Sequence, residues 1–401
     1  MASNRSLPLR DDLVPDRVLP QHVLHLVGVV TVEVLSFLAP ATHVLARCGV
    51  SQQVLAVGAA VDRSAQWGLA LAVQVEVLPA ERNPLKRWLR AAAALRAHLQ
   101  PGESAVLHVH GLVPALVGSL VALLVWRRKG NRLPLVYTPH GSRSLGAAGP
   151  AGVWLHLLAR PLIRALPIVS VIASHAGESQ RLLAQTNAPV HLAESPTPAA
   201  YLAAVRAEAP LPLIVAGVLE KPAHAARQVA RLAVLLGDDL LHAKVEWIGV
   251  SDDASAALLR ATGVASCGEL DAEMQAARLA SAWIYVAPTA STHFPALLAR
   301  AMAMGLPCVA LDVPFHRALI VHGVDGYLCA DVDAMVQWTF ALVESSALRE
   351  QIGQAARASC HLRFGEKRFG QSLLAAYSGA VTDAVSAAAS AAAADNAPLH
   401  A

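Results

Sequence analysis

Lysine is almost missing from this sequence: in 401 residues it occurs only at Lys86, Lys129, Lys221, Lys244 and Lys367. Lys and Arg together number 32 against 29 Asp and Glu, a formal charge of +3. So small and dispersed an excess excludes the basic stripe with which a nucleic-acid binder neutralises phosphates. Cysteine is sparse as well. Cys48, Cys267, Cys308, Cys329 and Cys360 are scattered and contain no Cys-x-x-Cys pair, which excludes a disulfide framework and a thiolate zinc site and makes a reducing cytosol the simplest compartment. The first twenty residues lack an apolar stretch behind a basic start and are broken by Asp11, Asp12, Pro15, Asp16 and Pro20, so no signal peptide is expected. Only 15% of residues are charged, whereas 55% are hydrophobic. General disorder is thereby excluded, and the length suits two or three domains with ample core.

One charge-free stretch, residues 105–126, is long enough to span a bilayer. His108, His110, Gly111 and Pro114 interrupt it, leaving a β-branched run, a turn and an apolar segment that ends at Arg127-Arg128-Lys129. A buried strand followed by a buried helix is expected there in place of a membrane span.

From about Val23, short apolar runs alternate with longer Ala/Leu/Arg segments of helical character, the pattern of parallel α/β units. Strands are expected at 23–30, 52–57, 73–78, 106–109, 135–138 and 170–173. A proline-rich joint follows, Ala193-Glu194-Ser195-Pro196-Thr197-Pro198 and then Pro210-Leu211-Pro212, as an interdomain linker would read. The alternation restarts with strands expected at 213–216, 244–248, 283–287 and 308–311. The reading is therefore an N-terminal domain at 20–198, a C-terminal domain at 210–366, a last helix at 367–385 and a disordered Ser/Ala-rich tail at 386–401.

In doubly wound sheets ligands bind beyond the carboxyl ends of strands, so the loops there are where chemistry is sought. Leu135-Val136-Tyr137-Thr138-Pro139-His140-Gly141 follows one expected strand, with Leu107-His108-Val109-His110-Gly111 upstream. Downstream, Val286-Ala287-Pro288-Thr289 leads to Phe294, then to Ala301-Met302-Ala303-Met304-Gly305-Leu306-Pro307-Cys308-Val309-Ala310, and then to Gly323-Val324-Asp325-Gly326-Tyr327-Leu328. In order and spacing these stretches resemble the family 4 GT-B glycosyltransferases, retaining enzymes that use nucleotide sugars. The resemblance runs from about Val23 to Tyr377. It implies an α/β fold of two Rossmann-like doubly wound domains facing a central cleft, acceptor on the first and nucleotide sugar on the second. Phe369 and Tyr377 look like parts of the helix that crosses back to the N-terminal domain.

The resemblance also distributes roles. The residue matching His140 contacts the donor sugar near the reaction centre; a bend between Pro139 and Gly141 presents the ring as a hydrogen-bond donor, and the alternative is a ring bonded to loop carbonyls. Gly28, His108, His110 and Gly141 fall on the acceptor side. Gly28 stands alone where the family carries a Gly-rich turn, and is equally an ordinary strand-end turn. His108 and His110, two apart, share a strand face, which fits a metal pair but fits packing better for want of a third ligand nearby in sequence. No metal and no cofactor is expected. On the donor side Gly217 and Gly249 mark turns after strands, and Lys221 is the candidate phosphate cation, or else a loop lysine paired with Glu220.

The departures from the family lie on the donor side as well. Val218 stands where an Arg is usual beside Gly217. Aligning Phe294 and residues 301–303 places Thr292 and Arg300 where the family has two glutamates, one near the sugar and one on the ribose. A carboxylate that accepts a hydroxyl hydrogen bond contributes on the order of 1.5–3 kcal/mol, so losing two costs about two to four decades in binding or turnover. Thr292-His293-Phe294-Pro295 still opens a helix whose free N–H groups can hold phosphate. Arg300 is open between a solvated surface residue, a partner of a neighbouring acid and part of an altered donor pocket.

Two classes follow: a glycosyltransferase acting on a glycan or lipid-linked acceptor in cell-surface polysaccharide or glycolipid synthesis, and a catalytically inactive, glycosyltransferase-like scaffolding subunit. Another two-domain nucleotide-sugar enzyme, such as an epimerase, fits 138–141 less well. Expected partners are a nucleotide sugar, its acceptor and an anionic membrane surface, with no nucleic acid. The membrane expectation rests on Lys86-Arg87-Trp88-Leu89-Arg90 and the basic run 127–132, which equally fit solvated helix ends. The expected place is the cytoplasm or, peripherally, the inner face of its membrane.

Overall fold

The short apolar runs form strands and the segments between them helices, because strands with Val, Ile and Leu on both faces need cover on both sides of the sheet. The computed structural model describes residues 18–57, 67–79, 81–99, 105–126, 133–140, 161, 163–217, 223–239, 242–249, 251–288 and 294–395. It forms two units, one of Met1–Ser195 with Glu366–Ala401 and the other of Pro196–Gly365.

The first unit contains β1 (His22–Val27), α1 (Val32–Arg47), β2 (Ser51–Val57), β3 (Gln74–Leu78), α2 (Pro84–His98), β4 (Ala105–His110), α3 (Leu112–Trp126), β5 (Leu135–Thr138), β6 (Ile168–Ala173), α4 (Ala176–Leu183) and β7 (Val190–Leu192). The seven strands among its described residues lie in the order β3-β2-β1-β4-β5-β6-β7. All pairings are parallel. The chain thus winds outward from β1 in one direction and from β4 in the other. The 105–126 stretch is a strand and a helix, as expected, and among the described residues no helix is long and apolar enough to cross a membrane.

The second unit contains α5 (Ala199–Ala203), β8 (Leu213–Gly217), α6 (Ala223–Asp239), β9 (Lys244–Ile248), α7 (Asp253–Ala261), β10 (Ala265–Gly268), α8 (Ala272–Ser281), β11 (Ile284–Ala287), α9 (Ala296–Met304), β12 (Cys308–Leu311), α10 (Pro314–Arg317), β13 (Tyr327–Cys329), α11 (Val332–Glu344) and α12 (Ser346–Arg363). The six strands among its described residues run β10-β9-β8-β11-β12-β13, again all parallel. Asp252, Asp271, Asp331 and Ser345 cap α7, α8, α11 and α12, each accepting a hydrogen bond from the N–H three residues on.

From Glu366 the chain re-enters the first unit as α13 (Glu366–Asp395). Phe369, Leu373, Leu374, Tyr377, Ala380 and Val381 lie buried with Val23, Val106, Val136 and Ile172 of the sheet. Two features differ from the sequence expectation. The helix runs on to Asp395, because alanine, which fills the 386–395 segment, is the best helix former. The expected linker 193–212 carries α5, whose Tyr201 is 1% exposed and belongs to the core of the second unit.

Candidate functional site

In each sheet the winding direction reverses once, between β1 and β4 and between β8 and β11. The carboxyl ends at such a reversal diverge and leave room for a ligand. The residues that end these strands are therefore the ones to inspect.

Alternation sorts β4 into two faces. Leu107 and Val109 join a leucine-rich cluster with α2 and α3, whereas Val106, His108 and His110 face the side covered by α1 and α13. His25 of β1 is in register with His108 and lies on that same side. His140, two residues beyond β5, completes the group. Its φ of 54° is the only left-handed value at a non-glycine among the described residues, a conformation a bulky residue adopts only where the surroundings hold it.

Two of these rings were expected to share a face, and the structure joins four. His110 Nδ1 lies 2.7 Å from His140 Nε2, and His25 Nδ1 lies 3.1 Å from His110 Nε2. His108 uses both nitrogens on hydroxyls, Tyr377 at 2.7 Å from Nδ1 and Thr138 at 2.8 Å from Nε2. Phe37 of α1 meets the rings of His108, His110 and His140 edge-on, closing the layer. Charge is unwelcome in such a place. Burial holds His25 down to about 3 and His140 to about 4, with the Glu178 carboxylate opposing the second shift. His108 and His110 are pushed well below the usual histidine range by burial and then by their neighbouring imidazoles. At neutral pH all four rings are uncharged.

Ring nitrogens of His25, His108 and His110 lie within 4.8 Å of one another, a spacing a metal ion could use. A ligand nitrogen would have to give its lone pair to the ion. The remaining expected residue of this unit, Gly28, sits on the opposite side of β1: a Cβ there would meet Pro114 Cγ at 3.1 Å and Trp88 at 3.3 Å. Gly141 lies outside the described residues.

Sequence reasoning missed His25, Tyr377's hydroxyl and Glu178. Glu178 is 3% exposed at the start of α4, where its Oε2 accepts from the N–H and hydroxyl of Ser174 at 2.8 and 2.7 Å. The available signals were a histidine inside the apolar run His22–Val27 and an acid in the first turn of α4.

In the second unit Gly217 ends β8 where no side chain fits: an added Cβ would lie 2.5 Å from the Ile248 carbonyl oxygen and 2.8 Å from Leu297 of α9. The missing Cβ lets α9 close on the strand end, and the Gly217 carbonyl accepts from the Tyr285 hydroxyl at 2.9 Å. Gly249, with φ 138°, turns the chain after β9. Pro295 occupies the N-cap of α9, and the Phe294 ring packs edge-on against Phe364, 5.7 Å between centroids. Arg300 is half-buried and, among the described residues, pairs with no acid. Its Nη1 donates to the Tyr201 hydroxyl and to Gln275 Oε1, each at 3.2 Å, with the guanidinium 5.1 Å above the Tyr201 ring. Lys221, Thr292 and His293 lie outside the described residues, as do Val218 and Glu220.

Residues 213–345, within the second unit, match the family model for glycosyl transferases group 1. No curated protein matches the sequence. Among solved structures, a glycosyltransferase from Rickettsia africae is similar with TM-score 0.69 and 13% identity over 89% of this chain and 98% of that one. HepE of Anabaena, solved with UDP, is similar with TM-score 0.67 and 14% identity over 87% and 97%. A Listeria monocytogenes protein assigned as a UDP-N-acetylglucosamine 2-epimerase follows with TM-score 0.59 and 13% identity over 88% and 94%. At these identities the likeness establishes fold: two Rossmann-like parallel sheets and a terminal helix that returns to the first unit, the GT-B architecture.

Proposed function

We propose that this protein is a glycosyltransferase that moves a sugar from a nucleotide-sugar donor to a glycan or lipid-linked acceptor, with retention at the anomeric carbon, in cell-surface polysaccharide or glycolipid synthesis. The observation that carries the reading is His140: at the carboxyl end of β5, held at φ 54° by a buried chain of imidazoles, with an Nδ1 that has no partner among the described residues. A buried nitrogen kept in a strained conformation and left without a partner suits a group waiting for a ligand. The family match at 213–345 supports a nucleotide-sugar domain, and HepE, a structural relative, was solved with UDP.

His140 orients the sugar. Lys221, His293 and the N-terminus of α9 stabilise the departing diphosphate, with Gly217 allowing the helix to approach and Gly249 shaping the adjoining turn. Gly28, His108, His110 and Gly141 belong to the acceptor side. The reaction as proposed needs no metal. The protein acts in the cytoplasm, peripherally at the inner membrane face.

A second reading has its own observation. Arg300 stands where the family carries the ribose-binding glutamate, and its guanidinium is committed to Tyr201 and Gln275, consistent with a catalytically inactive partner in glycan assembly. A thermal-shift titration with UDP, GDP and their sugars separates the two, since a ligand that binds only the folded state raises its melting temperature. A nucleotide-selective rise, followed by transfer that survives EDTA and falls at least about a hundredfold in His140→Ala, is the expected result. No rise with any nucleotide, in a protein that melts cooperatively, moves the assignment to the inactive partner.

A further inference from the structure

The buried imidazoles do more than fill space, because each neutral ring has one N–H and one lone pair, and a hydrogen bond between two rings forces the choice in both. Once one tautomer in the chain is fixed, the rest follow.

The fixed end is Gln52 of β2. Its Nε2 lies 2.9 Å from the Thr42 carbonyl oxygen, which only accepts, so the amide nitrogen must be the atom on that side. Gln52 Oε1 is then the free end of the carboxamide. It is buried and has no hydrogen-bond partner among the described residues, and the same is true of His25 Nε2. Strand register brings the two side chains together. Val23 pairs with Gln52 and His25 with Val54, so Gln52 and His25 lie diagonally on one face of adjacent parallel strands. His25 responds to Gln52 as to a hydrogen-bonding neighbour, which opposes the effect of burial. An acceptor beside this nitrogen, where the register and the shared face put it, favours the tautomer with the proton on Nε2.

The remaining steps are forced. His25 Nδ1 is then a lone pair and accepts from His110 Nε2–H across 3.1 Å. His110 Nδ1 is in turn a lone pair and accepts from His140 Nε2–H across 2.7 Å. Reversing the chain would set the His25 lone pair against the Gln52 carbonyl, and flipping the amide would set that carbonyl against Thr42, leaving two buried acceptors face to face in either case. His108 stands outside the chain, since hydroxyls, which donate or accept, occupy both of its nitrogens.

We infer that Gln52, His25 and His110 are positioning residues that lock His140 as the Nε2–H tautomer, so that its Nδ1 accepts a hydrogen bond from a hydroxyl of the bound sugar. This reverses the donor role that the sequence suggested for the ring, and it rests on the proposed sugar-transfer reading only for the identity of the ligand. A hydroxyl is the chemistry this atom takes; a carboxylate or carbonyl at the same place would confront a lone pair.

The experiment is nitrogen NMR of protein labelled with ¹⁵N-histidine, His140 being assigned by the signals lost in His140→Ala. In the unliganded wild type, long-range correlations are expected to show a protonated Nε2 and an imine-type Nδ1 for His140. A protonated Nδ1 overturns the inference, and so does one equivalent of zinc bound per chain, because the ion would take lone pairs the chain uses. Gln52→Met removes the acceptor and is expected to give His140 signals averaged between tautomers. A pure Nε2–H tautomer in Gln52→Met removes Gln52 from the role. If transfer is measurable, Gln52→Met lowers kcat about two- to tenfold, the worth of one hydrogen bond. The wild-type spectrum decides the tautomer without any variant and without turnover. A locked His140 in a protein that binds no nucleotide sugar would therefore sink the proposed function and leave the tautomer assignment standing.

Discussion

At the scale of single residues, four imidazoles in an apolar layer hold their places by remaining neutral. The unfolded chain binds protons at these histidines below about pH 6.5, while folded His140 and His25 stay unprotonated down to about 4 and about 3. Folding therefore excludes protons throughout that window, and stability rises with pH inside it. It is fully present above pH 6.5 and is lost as the pH falls, by about 1.4 kcal/mol per pH unit for each ring that stays neutral. Urea unfolding followed from about pH 7.5 to about pH 5 should show this slope, shallower by one ring in His25→Phe; a midpoint independent of pH would count against neutral burial. The sequence displayed part of this. Alternation put His108 and His110 on one face, but His25 was invisible as their neighbour, because strand order decides which distant run lies alongside. Arg300 teaches the same lesson from the second unit: its position in the motif was legible, while its partners, Tyr201 and Gln275, come from segments 99 and 25 residues away.

At the scale of elements, α13 was legible from Phe369 and Tyr377, and the structure explains why those two matter. Residues 369, 373, 377 and 380 recur at three- and four-residue spacing and place one stripe over the sheet. Tyr377 also reaches His108 Nδ1 with its hydroxyl. Tyr377→Phe keeps the ring and deletes only that partner, leaving a buried imidazole nitrogen unsatisfied. It should cost about 1–3 kcal/mol, whereas Phe369→Ala, which opens a cavity under the helix, should cost about 3–5 kcal/mol. Chemical denaturation measures both, and a Tyr377→Phe protein as stable as wild type would show that the hydroxyl is dispensable. The elements that escaped the sequence reading are β7, β10 and β13, which are edge strands of three or four residues. So short a segment displays no period, and with one neighbour it needs no continuous apolar run. The helix α5 escaped for another reason. Its flanking prolines announce a break in the chain, yet Pro198 merely supplies the N-cap, and Tyr201 anchors the segment to α8 by donating to Gln275 at 2.7 Å.

At the scale of the whole molecule, the alternation of runs revealed two α/β halves, but the order of strands, and with it the two reversals that gather the candidate residues, appeared only in the structure. The surface adds a feature that composition hid. Leu85 and Leu89 of α2 are 68% and 61% exposed, and on the neighbouring α3 Leu120 and Leu124 are 56% and 65% exposed. Exposed Lys86 and Arg96 lie on α2, whose first turn carries no acid. Leucines standing beside cations suit a surface that rests on anionic headgroups, with each leucine contributing up to about 1.5–3 kcal/mol when it leaves water and the cations adding a salt-sensitive attraction. The protein should therefore sediment with vesicles containing phosphatidylglycerol and not with pure phosphatidylcholine, and added salt should weaken the binding. Leu85→Asn with Leu89→Asn should reduce it by at least about tenfold, while the melting temperature barely moves because both side chains are already in water. Equal sedimentation with both lipids would remove the membrane from the proposed function and leave a soluble acceptor as the substrate to seek.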